Sequence, residues 1–310
     1  MRREWRSILT AVICFLLVIV LNFLLPRLLP GNPLAYLTGI SEEGLTTVQE
    51  EYYVHALHLD ESLFSQFIHY IESIFNGTLG YSFKKEATVS SLISWRIWPT
   101  LKISIPAIVI SSLLGLVLGL ASGFSTRRRT DSWLTPLMIV LNAIPSFLLA
   151  LTLVLVFGFK LRILPYAGLS TFVHLILPVS TLVIGMTPSR YLLVRNMVAT
   201  QSKERYVLYA RQRGLTDRRI RYSYILGNIS GPFIMTIGLG LGLAVSGSVV
   251  IENIFSINGM GKLLTEAVYT LDYPLIQGIL FMATAIMAIA IILSDLVALA
   301  LDPKRRLVNE

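Results

Sequence analysis

The sequence predicts an all-α protein that crosses a membrane six times. Hydrophobic residues make up 54% of the 310 residues, and Asp, Glu, Lys and Arg together make up only 14%. Soluble domains carry about a quarter of charged residues. Several apolar runs reach the roughly 20 residues that a transmembrane helix needs. The short alternating segments of a membrane barrel are absent from the sequence. We therefore expect a polytopic helical membrane protein.

The first span is predicted at 8–25, directly after the basic segment MRREWRS. A signal peptide has a shorter apolar region and a cleavage site between small residues. Neither feature fits, so the first helix is expected to stay uncleaved. The remaining apolar runs predict spans near 100–124, 133–157, 175–197, 230–254 and 276–300.

Lysine and arginine residues concentrate in segments that would lie on one side of the membrane. Cytoplasmic loops carry an excess of these residues. Most of the 26 fall in the N-terminal segment, at 127–129, in the large loop and its flanks at 190–221, or at 304–306. Both termini are therefore expected in the cytoplasm. This topology accounts for the net charge of +8, and no nucleic-acid partner is expected.

The spans and loops divide the chain into four predicted parts. These are an N-terminal transmembrane helix at 1–29, an extracytoplasmic region at 30–98, a five-helix core at 99–300 with a cytoplasmic loop at 200–228, and a cytoplasmic tail at 301–310. The extracytoplasmic region is predicted to hold a polar, acidic helix near 42–60 and an amphipathic helix at 63–75. Phe64, Phe67 and Phe75 are expected at the membrane surface or against neighbouring helices.

Motifs for catalysis and nucleotide binding are missing from the sequence. Gly261 and Lys262 are followed by Leu263 and lack the upstream glycine of a phosphate-binding loop. Neither H-E-x-x-H nor G-x-S-x-G occurs. No catalytic residue and no cofactor are therefore predicted in this chain. The single cysteine, Cys14, allows no disulfide within the chain.

Four histidines fall in predicted extracytoplasmic segments: His55, His58, His69 and His174. His55 and His58 could share a metal ion at i, i+3, but no carboxylate arrangement recommends that pair. No metal site is therefore predicted.

Ionisable residues are nearly absent from the centres of the predicted spans. Glu252 and Asp295 lie toward span ends, where they could reach the interface or a neighbouring helix. Because such residues mark ion and proton pathways, their scarcity argues against a proton-coupled secondary transporter.

Glycines recur at four-residue intervals at Gly115, Gly119 and Gly123, and again at Gly238 and Gly242. This spacing lets helix backbones approach closely. Packing is the predicted role, and lining of a substrate path is the alternative.

The basic loop after the fourth span predicts a short helix with one apolar face. Tyr206, Val207 and Ala210 follow at i, i+1 and i+4, with Gly214 on the same line. Such a helix would present a small-residue apolar face to a partner. The alternative is a basic amphipathic pair of helices that rests on anionic membrane lipid through residues such as Arg211.

A glycine and a polar cap predict where this helix ends and where a second helix begins. Gly214 can take the left-handed conformation that ends a helix without a Cβ penalty. Leu215 follows, and Thr216 is a suitable N-cap for a helix that begins at Asp217. The loop is therefore expected to fold as two short helices at an angle.

Sequence elements along nearly the whole chain resemble those of permease subunits in the peptide/nickel branch of bacterial ABC importers. The A-x-x-x-G core of that superfamily's cytoplasmic signature stands at 210–214. The other elements are LPGNP at 29–33, GTLGYS at 77–82, PTL at 99–101, IPSF at 144–147, LP-x-x-G at 164–168, N-x-x-x-P at 228–232, VVIENIFSINGMGKLL at 249–264, DYP at 272–274 and LDPKRR at 301–306.

Three departures from the branch's pattern stand out. Leu208 and Tyr209 replace the leading Glu-Ala of the signature, as is usual in this branch. Asn32 stands where the branch commonly has Asp. Ile257 and Asn258 replace Trp-Pro in a predicted external loop, where the change could alter contact with a binding protein.

The resemblance implies a type I ABC importer permease fold in a bacterial cell membrane. It implies a second homologous permease as partner in the translocation path, two cytoplasmic ATPase subunits that bind ATP and Mg²⁺, and an extracytoplasmic binding protein that delivers substrate. Oligopeptides, dipeptides, nickel chelates and other metallophores all fit this scaffold. A stand-alone secondary transporter or channel, and a membrane-embedded enzyme, are the alternatives.

The resemblance also assigns two candidate sites. Coupling to the ATPases is expected at Tyr206, Val207, Ala210, Arg211, Gly214, Leu215 and Thr216. An outer gate or binding-protein contact is expected at Asn258, Gly259 and Gly261. Closure of the ATPase pair would move the helices of 204–222 as a rigid body and reopen the core toward the outside.

Single cysteines test the predicted orientation. In a Cys14→Ser background, Ser62→Cys should react with a membrane-impermeant thiol reagent in intact cells and Arg128→Cys should not, because the charge pattern places only the first outside the cytoplasm. Both should react after the membrane is permeabilised. The reverse labelling pattern in intact cells would contradict the topology.

Overall fold

The structure is a computed structural model that describes residues 13, 15–24, 27, 28, 34, 46–124 and 129–301, of which residues 129, 243–247 and 301 are described by their backbone alone. Helices dominate these residues. They are α1 (Phe15–Leu24), α2 (Thr47–Ala56), α3 (Leu63–Phe75), α4 (Val89–Gly123), α5 (Arg129–Ala143), α6 (Ser146–Leu153), α7 (Val173–Gln201), α8 (Arg205–Gln212), α9 (Asp217–Arg219), α10 (Leu226–Ile254), α11 (Met260–Tyr269) and α12 (Tyr273–Leu301). Strands β1 (Tyr81–Ser82) and β2 (Ala87–Thr88) form one short antiparallel pair.

Among the described residues, 4 helices are long and apolar enough to cross a membrane, or up to 5 if one bent pair counts as a span. The four are α4, α7, the stretch Asp217–Gly242 and α12. The protein is therefore a multi-pass helical membrane protein. The predicted number of six spans is not confirmed. The first predicted span, 8–25, lies partly outside the described residues, and its described part is the shorter apolar helix α1.

The chain is sharply bent within the span predicted near 133–157. Thr130–Ala143 and Ser146–Lys160 are bent by 95° at the break between them. Pro145 sits at this break with φ −58° and ψ 136°, and its ring disfavours a helical conformation at Ile144. A π-helical turn at Val154–Lys160 continues the second helix of the pair. The IPSF element therefore marks a sharp bend in the chain.

Helix α4 begins at Val89, well before the span predicted near 100. The predicted end of the extracytoplasmic region at 98 therefore falls inside a helix. Helix α3, in contrast, has the predicted bounds. Its Phe67 contacts Phe23 of α1 edge-on at 5.1 Å between ring centroids, whereas Phe75 is exposed.

The chain forms two compact units. The first comprises residues 1–101 and 245–288, and the second comprises residues 102–244 and 289–310. Helices α4, α10 and α12 contribute residues to both. In the first unit, α11 packs with the first turns of α4 and α12 around a core of Leu79, Val89, Ile93, Met260, Leu263, Ala267, Tyr273, Leu275, Ile276 and Ile279.

Glycines of α4 allow close packing against α7 in the second unit. A Cβ at Gly119 would lie 2.7 Å from Val194 Cβ, and one at Gly123 would lie 2.7 Å from Val198 Cβ. Real Cβ atoms essentially never approach other atoms this closely, so these positions accept only glycine without a shift of the backbone. The predicted packing role of the α4 glycines is confirmed.

A partly buried ion pair joins α5 to α7 in the same unit. Arg195 Nε and Nη2 donate to the two carboxylate oxygens of Asp131 at 2.5 and 2.6 Å, the two-pronged geometry that gives strong pairs. Asp131 Oδ1 also accepts from Thr135 at 2.8 Å. Arg195 and the buried Arg190 both lie within α7.

Candidate functional site

Helix α8 turns its apolar stripe into the core of the second unit. Val207 and Ala210 are 1% and 4% exposed and pack in one cluster with Val194 of α7. Leu208 and Tyr209 are 55% and 58% exposed. The prediction that the small-residue stripe faces a partner is therefore wrong, because the chain itself covers that stripe. The exposed apolar side of α8 consists of the two residues that replace Glu-Ala in the signature.

Tyr206 continues the inward side of α8 at its first turn. Its hydroxyl donates to Gln201 Oε1 at 2.8 Å, which ties α8 to the end of α7. Burial raises the pKa of the Tyr206 phenol above its ordinary value, against a smaller opposing effect of a hydrogen bond with Asn228. The phenol therefore stays protonated at neutral pH and can keep donating this hydrogen bond.

A Schellman motif ends α8. The backbone N–H of Gly214 donates to Arg211 O at 2.9 Å, and that of Leu215 donates to Ala210 O at 3.2 Å. Gly214 has φ +76°, and no atom lies within 4 Å of the Cβ that another residue would place there. Its left-handed conformation, and not a lack of space, favours glycine here. The predicted left-handed glycine is confirmed.

The helix after the turn begins as predicted but is not short. Thr216 is its N-cap, and its hydroxyl accepts a hydrogen bond from Arg219 N at 3.5 Å. Helix α9, a π-helical turn at Ile220–Ile225 and α10 then follow without a break. The prediction of two short helices is therefore wrong for the second one. The turn connects α8 directly to the long helix α10.

One weak ion pair spans the outside of the turn. Arg211 Nε lies 3.7 Å from Asp217 Oδ1, and both side chains are more than half exposed. Exposed pairs of this kind contribute little to stability. The turn therefore owes its shape to the backbone bonds of the Schellman motif and to the buried stripe.

In the first unit, a buried carboxylate holds the loop between α10 and α11. Glu252 is 0% exposed. Its Oε1 accepts hydrogen bonds from Thr100 Oγ1 at 2.6 Å and from Ser248 Oγ at 2.8 Å. Its Oε2 accepts one from the backbone N–H of Lys262 at 2.9 Å. Thr100 Oγ1 in turn accepts from the backbone N–H of Met260 at 2.9 Å.

This network replaces an ordinary cap at the start of α11. Gly259 occupies the N-cap position and has no side chain to offer. The first N–H groups of a helix need partners, and a carboxylate near them is favoured by the helix dipole. Glu252 and Thr100 supply those partners from α10 and α4.

The two glycines of the loop are required for close approach. A Cβ at Gly259 would lie 2.5 Å from Glu252 Oε2 and 2.5 Å from Thr100 Oγ1. A Cβ at Gly261 would lie 2.5 Å from Val249 Cα. Both glycines are therefore buried, and their lack of a side chain lets the loop pack closely against Glu252 and α10.

Asn258 is the predicted gate residue whose side chain lies on the surface. It is exposed, and its Oδ1 accepts a hydrogen bond from Lys262 Nζ at 3.0 Å. Ile257, beside it, is fully buried. Of the three predicted residues in this loop, Asn258 thus has an exposed side chain, while the glycines set the shape of the loop.

The hydrogen bond between Thr100 and Glu252 was not predicted from the sequence. The sequence placed Glu252 toward a span end, within reach of the interface or of a neighbouring helix, and the structure shows the second: Glu252 is completely buried and bonds to Thr100 of α4. The signal available in the sequence was that Glu252 and Thr100 both belong to motifs of the resemblance, at 249–264 and 99–101. A second pair of elements meets in the same unit, where Ser82 Oγ donates to Asp272 Oδ2 at 2.5 Å. Sequence elements that lie far apart in the chain are therefore joined by hydrogen bonds in the fold.

Comparison with known proteins defines the class as a membrane transport subunit. Residues 115–307 match the family described as "Binding-protein-dependent transport system inner membrane component". The match includes α8, the Schellman turn and the loop of Glu252, and it covers more than half of the chain. This protein belongs to that family and is a transmembrane permease subunit of an ABC importer.

Similarity to individual relatives extends over nearly the full length. The dipeptide transport system permease protein of Bacillus subtilis is 31% identical over 307 residues, which is 99% of this chain and 97% of that protein. The nickel import system permease protein of Staphylococcus aureus is 30% identical over 296 residues, 96% of this chain and 89% of its own length. A probable peptide ABC transporter permease protein of Sinorhizobium fredii is 27% identical over 311 residues, 97% of this chain and 98% of the relative.

Alanine substitutions in the loop of Glu252 test its close packing. Gly259→Ala and Gly261→Ala should each lower stability by about 1–3 kcal/mol, because the added methyl group displaces the carboxylate or the α10 backbone. Thermal unfolding of the purified permease in detergent measures the loss. Asn258→Ala, an exposed change in the same loop, serves as the matched control and should unfold as the wild type does. An unchanged transition in Gly259→Ala would show that the loop is not packed this way.

Proposed function

We propose that the chain is a type I importer permease that crosses the bacterial membrane six times, with both termini in the cytoplasm. It would line the translocation path together with a second permease, either a homologue or a second copy. The four-part division at 1–29, 30–98, 99–300 and 301–310 belongs to this proposal, with 30–98 outside the cytoplasm. The full-length similarity to named permeases supports it.

The proposed substrates are peptides or metal ions and their chelates. Two of the relatives are named for dipeptide and nickel import, and each aligns with almost the whole chain. An extracytoplasmic binding protein would deliver the substrate, in keeping with the description of the family. The exposed Asn258 is the proposed point of contact, and Gly259 and Gly261 hold the loop that presents it.

Energy would come from two cytoplasmic ATPase subunits that bind ATP and Mg²⁺. The observation that carries this proposal is the construction of α8 and its turn. Val207 and Ala210 anchor the inner side of α8, which leaves Leu208 and Tyr209 exposed as an apolar patch. Large exposed apolar side chains grouped on one short helix suit contact with a protein partner.

The Schellman turn makes α8 suitable for transmitting motion. Gly214 and the cap at Thr216 join α8 to the continuous helical stretch that starts at Asp217. An ATPase that pulls on Leu208 and Tyr209 would therefore move the start of α10 with α8. Alternating access follows if the ATPase contacts differ between the two states, because only such differences shift the equilibrium.

Charged substitutions on the exposed side of α8 test the docking proposal. The double variant Leu208→Asp, Tyr209→Asp should insert and fold normally but lose more than about tenfold of the ATPase that co-purifies in mild detergent, because central apolar anchors dominate protein interfaces. Removing charge with Arg211→Gln and Arg213→Gln should matter less. If α8 rests on lipid instead, the charge variants would have the larger effect and the Asp variants would keep their ATPases. Ala210 is unsuitable for this test because it is buried.

Substitutions at Gly214 test the turn independently of the docking patch. Gly214→Val should cost about 1–2 kcal/mol, since a branched residue resists the left-handed conformation at φ +76°. The reconstituted complex should then hydrolyse ATP without response to the loaded binding protein. Gly214→Asn is the matched control, because asparagine tolerates this conformation and no atom crowds the site. Equal loss in both variants would contradict a conformational role for this glycine.

A further inference from the structure

A histidine in the turn after α2 and a histidine on α3 lie face to face. Helix α2 ends at Ala56, and His58 then takes a left-handed backbone conformation with φ 54°. This turn places the His58 ring against the ring of His69 on α3, with centroids 4.0 Å apart and an angle of 17° between the ring planes. The pair that the sequence spacing allowed, His55 with His58, does not form, and His55 contacts Asp60 instead at 2.9 Å.

Glu61 lies between one nitrogen of each stacked ring. His58 Nδ1 is 2.8 Å from Glu61 Oε1, and His69 Nε2 is 3.2 Å from Glu61 Oε2. The Ser65 hydroxyl donates to Glu61 Oε2 at 2.5 Å. One ligand atom of each of the three residues, His58, Glu61 and His69, lies within 4.8 Å of the other two.

His69 has more acceptors around it than a neutral ring can satisfy. Its Nε2 faces Glu61, and its Nδ1 lies 3.3 Å from Glu72 Oε2. A neutral imidazole carries one N–H, so one of its nitrogens would turn a lone pair toward a carboxylate oxygen. A cation held between His58, Glu61 and His69 removes this conflict. Nδ1–H can then donate to Glu72 while Nε2 binds the cation, an arrangement that is common behind metal-bound histidines.

We propose that His58, Glu61 and His69 form a binding site for a divalent transition-metal ion of the Zn²⁺ or Ni²⁺ type. Two imidazoles and one carboxylate suit such ions better than Mg²⁺ or Ca²⁺, which prefer oxygen ligands alone. The three side chains are 34–43% exposed. Water or a ligand carried by the ion can therefore complete its coordination. The site lies in the first unit and stands independently of the proposed substrate and coupling mechanism.

Metal binding to the full-length chain tests this site directly. The protein is purified in detergent with an affinity tag that contains no histidine, stripped with a chelator, and titrated calorimetrically with Zn²⁺ and, separately, Ni²⁺. We expect one equivalent to bind and the thermal transition to rise with metal, because the ion binds the folded state. His69→Ala and Glu61→Gln should weaken binding by at least about 100-fold, since even outer partners of metal ligands change affinity by 10–100-fold.

The substitutions are chosen so that loss of binding is distinct from loss of fold. His58→Asn removes the ring but tolerates the left-handed backbone at φ 54°, and it should abolish binding with an unchanged metal-free transition. His55→Ala is the matched control, because His55 lies in the same segment but outside the cluster. His174→Ala is a second control.

Three results would overturn the proposal. One is the absence of Zn²⁺ and Ni²⁺ binding by the wild type, as expected if a protonated His69 holds the two carboxylates without metal. Another is wild-type stoichiometry and affinity in both His58→Asn and His69→Ala. The third is an equal loss of binding in His55→Ala, which would indicate weak, distributed binding to surface histidines.

Discussion

The hydrogen bonds of the Glu252 carboxylate are the interaction on which the packing of the first unit depends. Burying a carboxyl group costs free energy unless hydrogen bonds replace its water. In this protein that water is replaced by three hydrogen-bond donors, which are the hydroxyls of Thr100 and Ser248 and the backbone N–H of Lys262. The same bonds fix the start of α11 against α10 and α4. Gly259 and Gly261 follow from this contact, because the carboxylate and the α10 backbone occupy the space that a side chain would need.

A different constraint shapes the second unit. There, one side of α8 packs into the core while its other side stays exposed. Its inner side is fixed by Val207 and Ala210, and its end is fixed by the Schellman bonds at Gly214. The A-x-x-x-G core of the family signature therefore describes how the helix is held. Leu208 and Tyr209, which occupy the two signature positions directly before Ala210, are exposed. In the proposed docking, Ala210 and Gly214 shape the helix, and the two positions before Ala210 make the contact.

A second buried pair in the first unit is built in the same way as Thr100 and Glu252. Ser82 and Asp272 bind each other across two separate sequence elements, as Thr100 and Glu252 do. Each pair joins a hydroxyl to a carboxylate, so it satisfies a buried acid without a second charge. The segment around His58 and His69 differs, because its carboxylates and imidazoles are partly exposed and open to a ligand.

The sequence by itself determined the features that depend on neighbours within a turn or two of chain. Hydrophobicity and spacing predicted a helical membrane protein, the bounds of α3, the left-handed Gly214 and the cap at Thr216. The resemblance of its motifs also identified the family correctly. These signals are local, because capping bonds and helix periodicity involve residues three or four positions apart.

The tertiary structure alone decided which faces and partners those elements have. Whether the stripe at Val207 and Ala210 points inward depends on the packing of α7 and α10, which no local pattern records. The contact between His58 and His69 likewise depends on how the turn after α2 brings the two rings together. Glu252 and Thr100 are separated by 152 positions. Only packing brings two such side chains within hydrogen-bonding distance, so their role could be seen only in the folded chain.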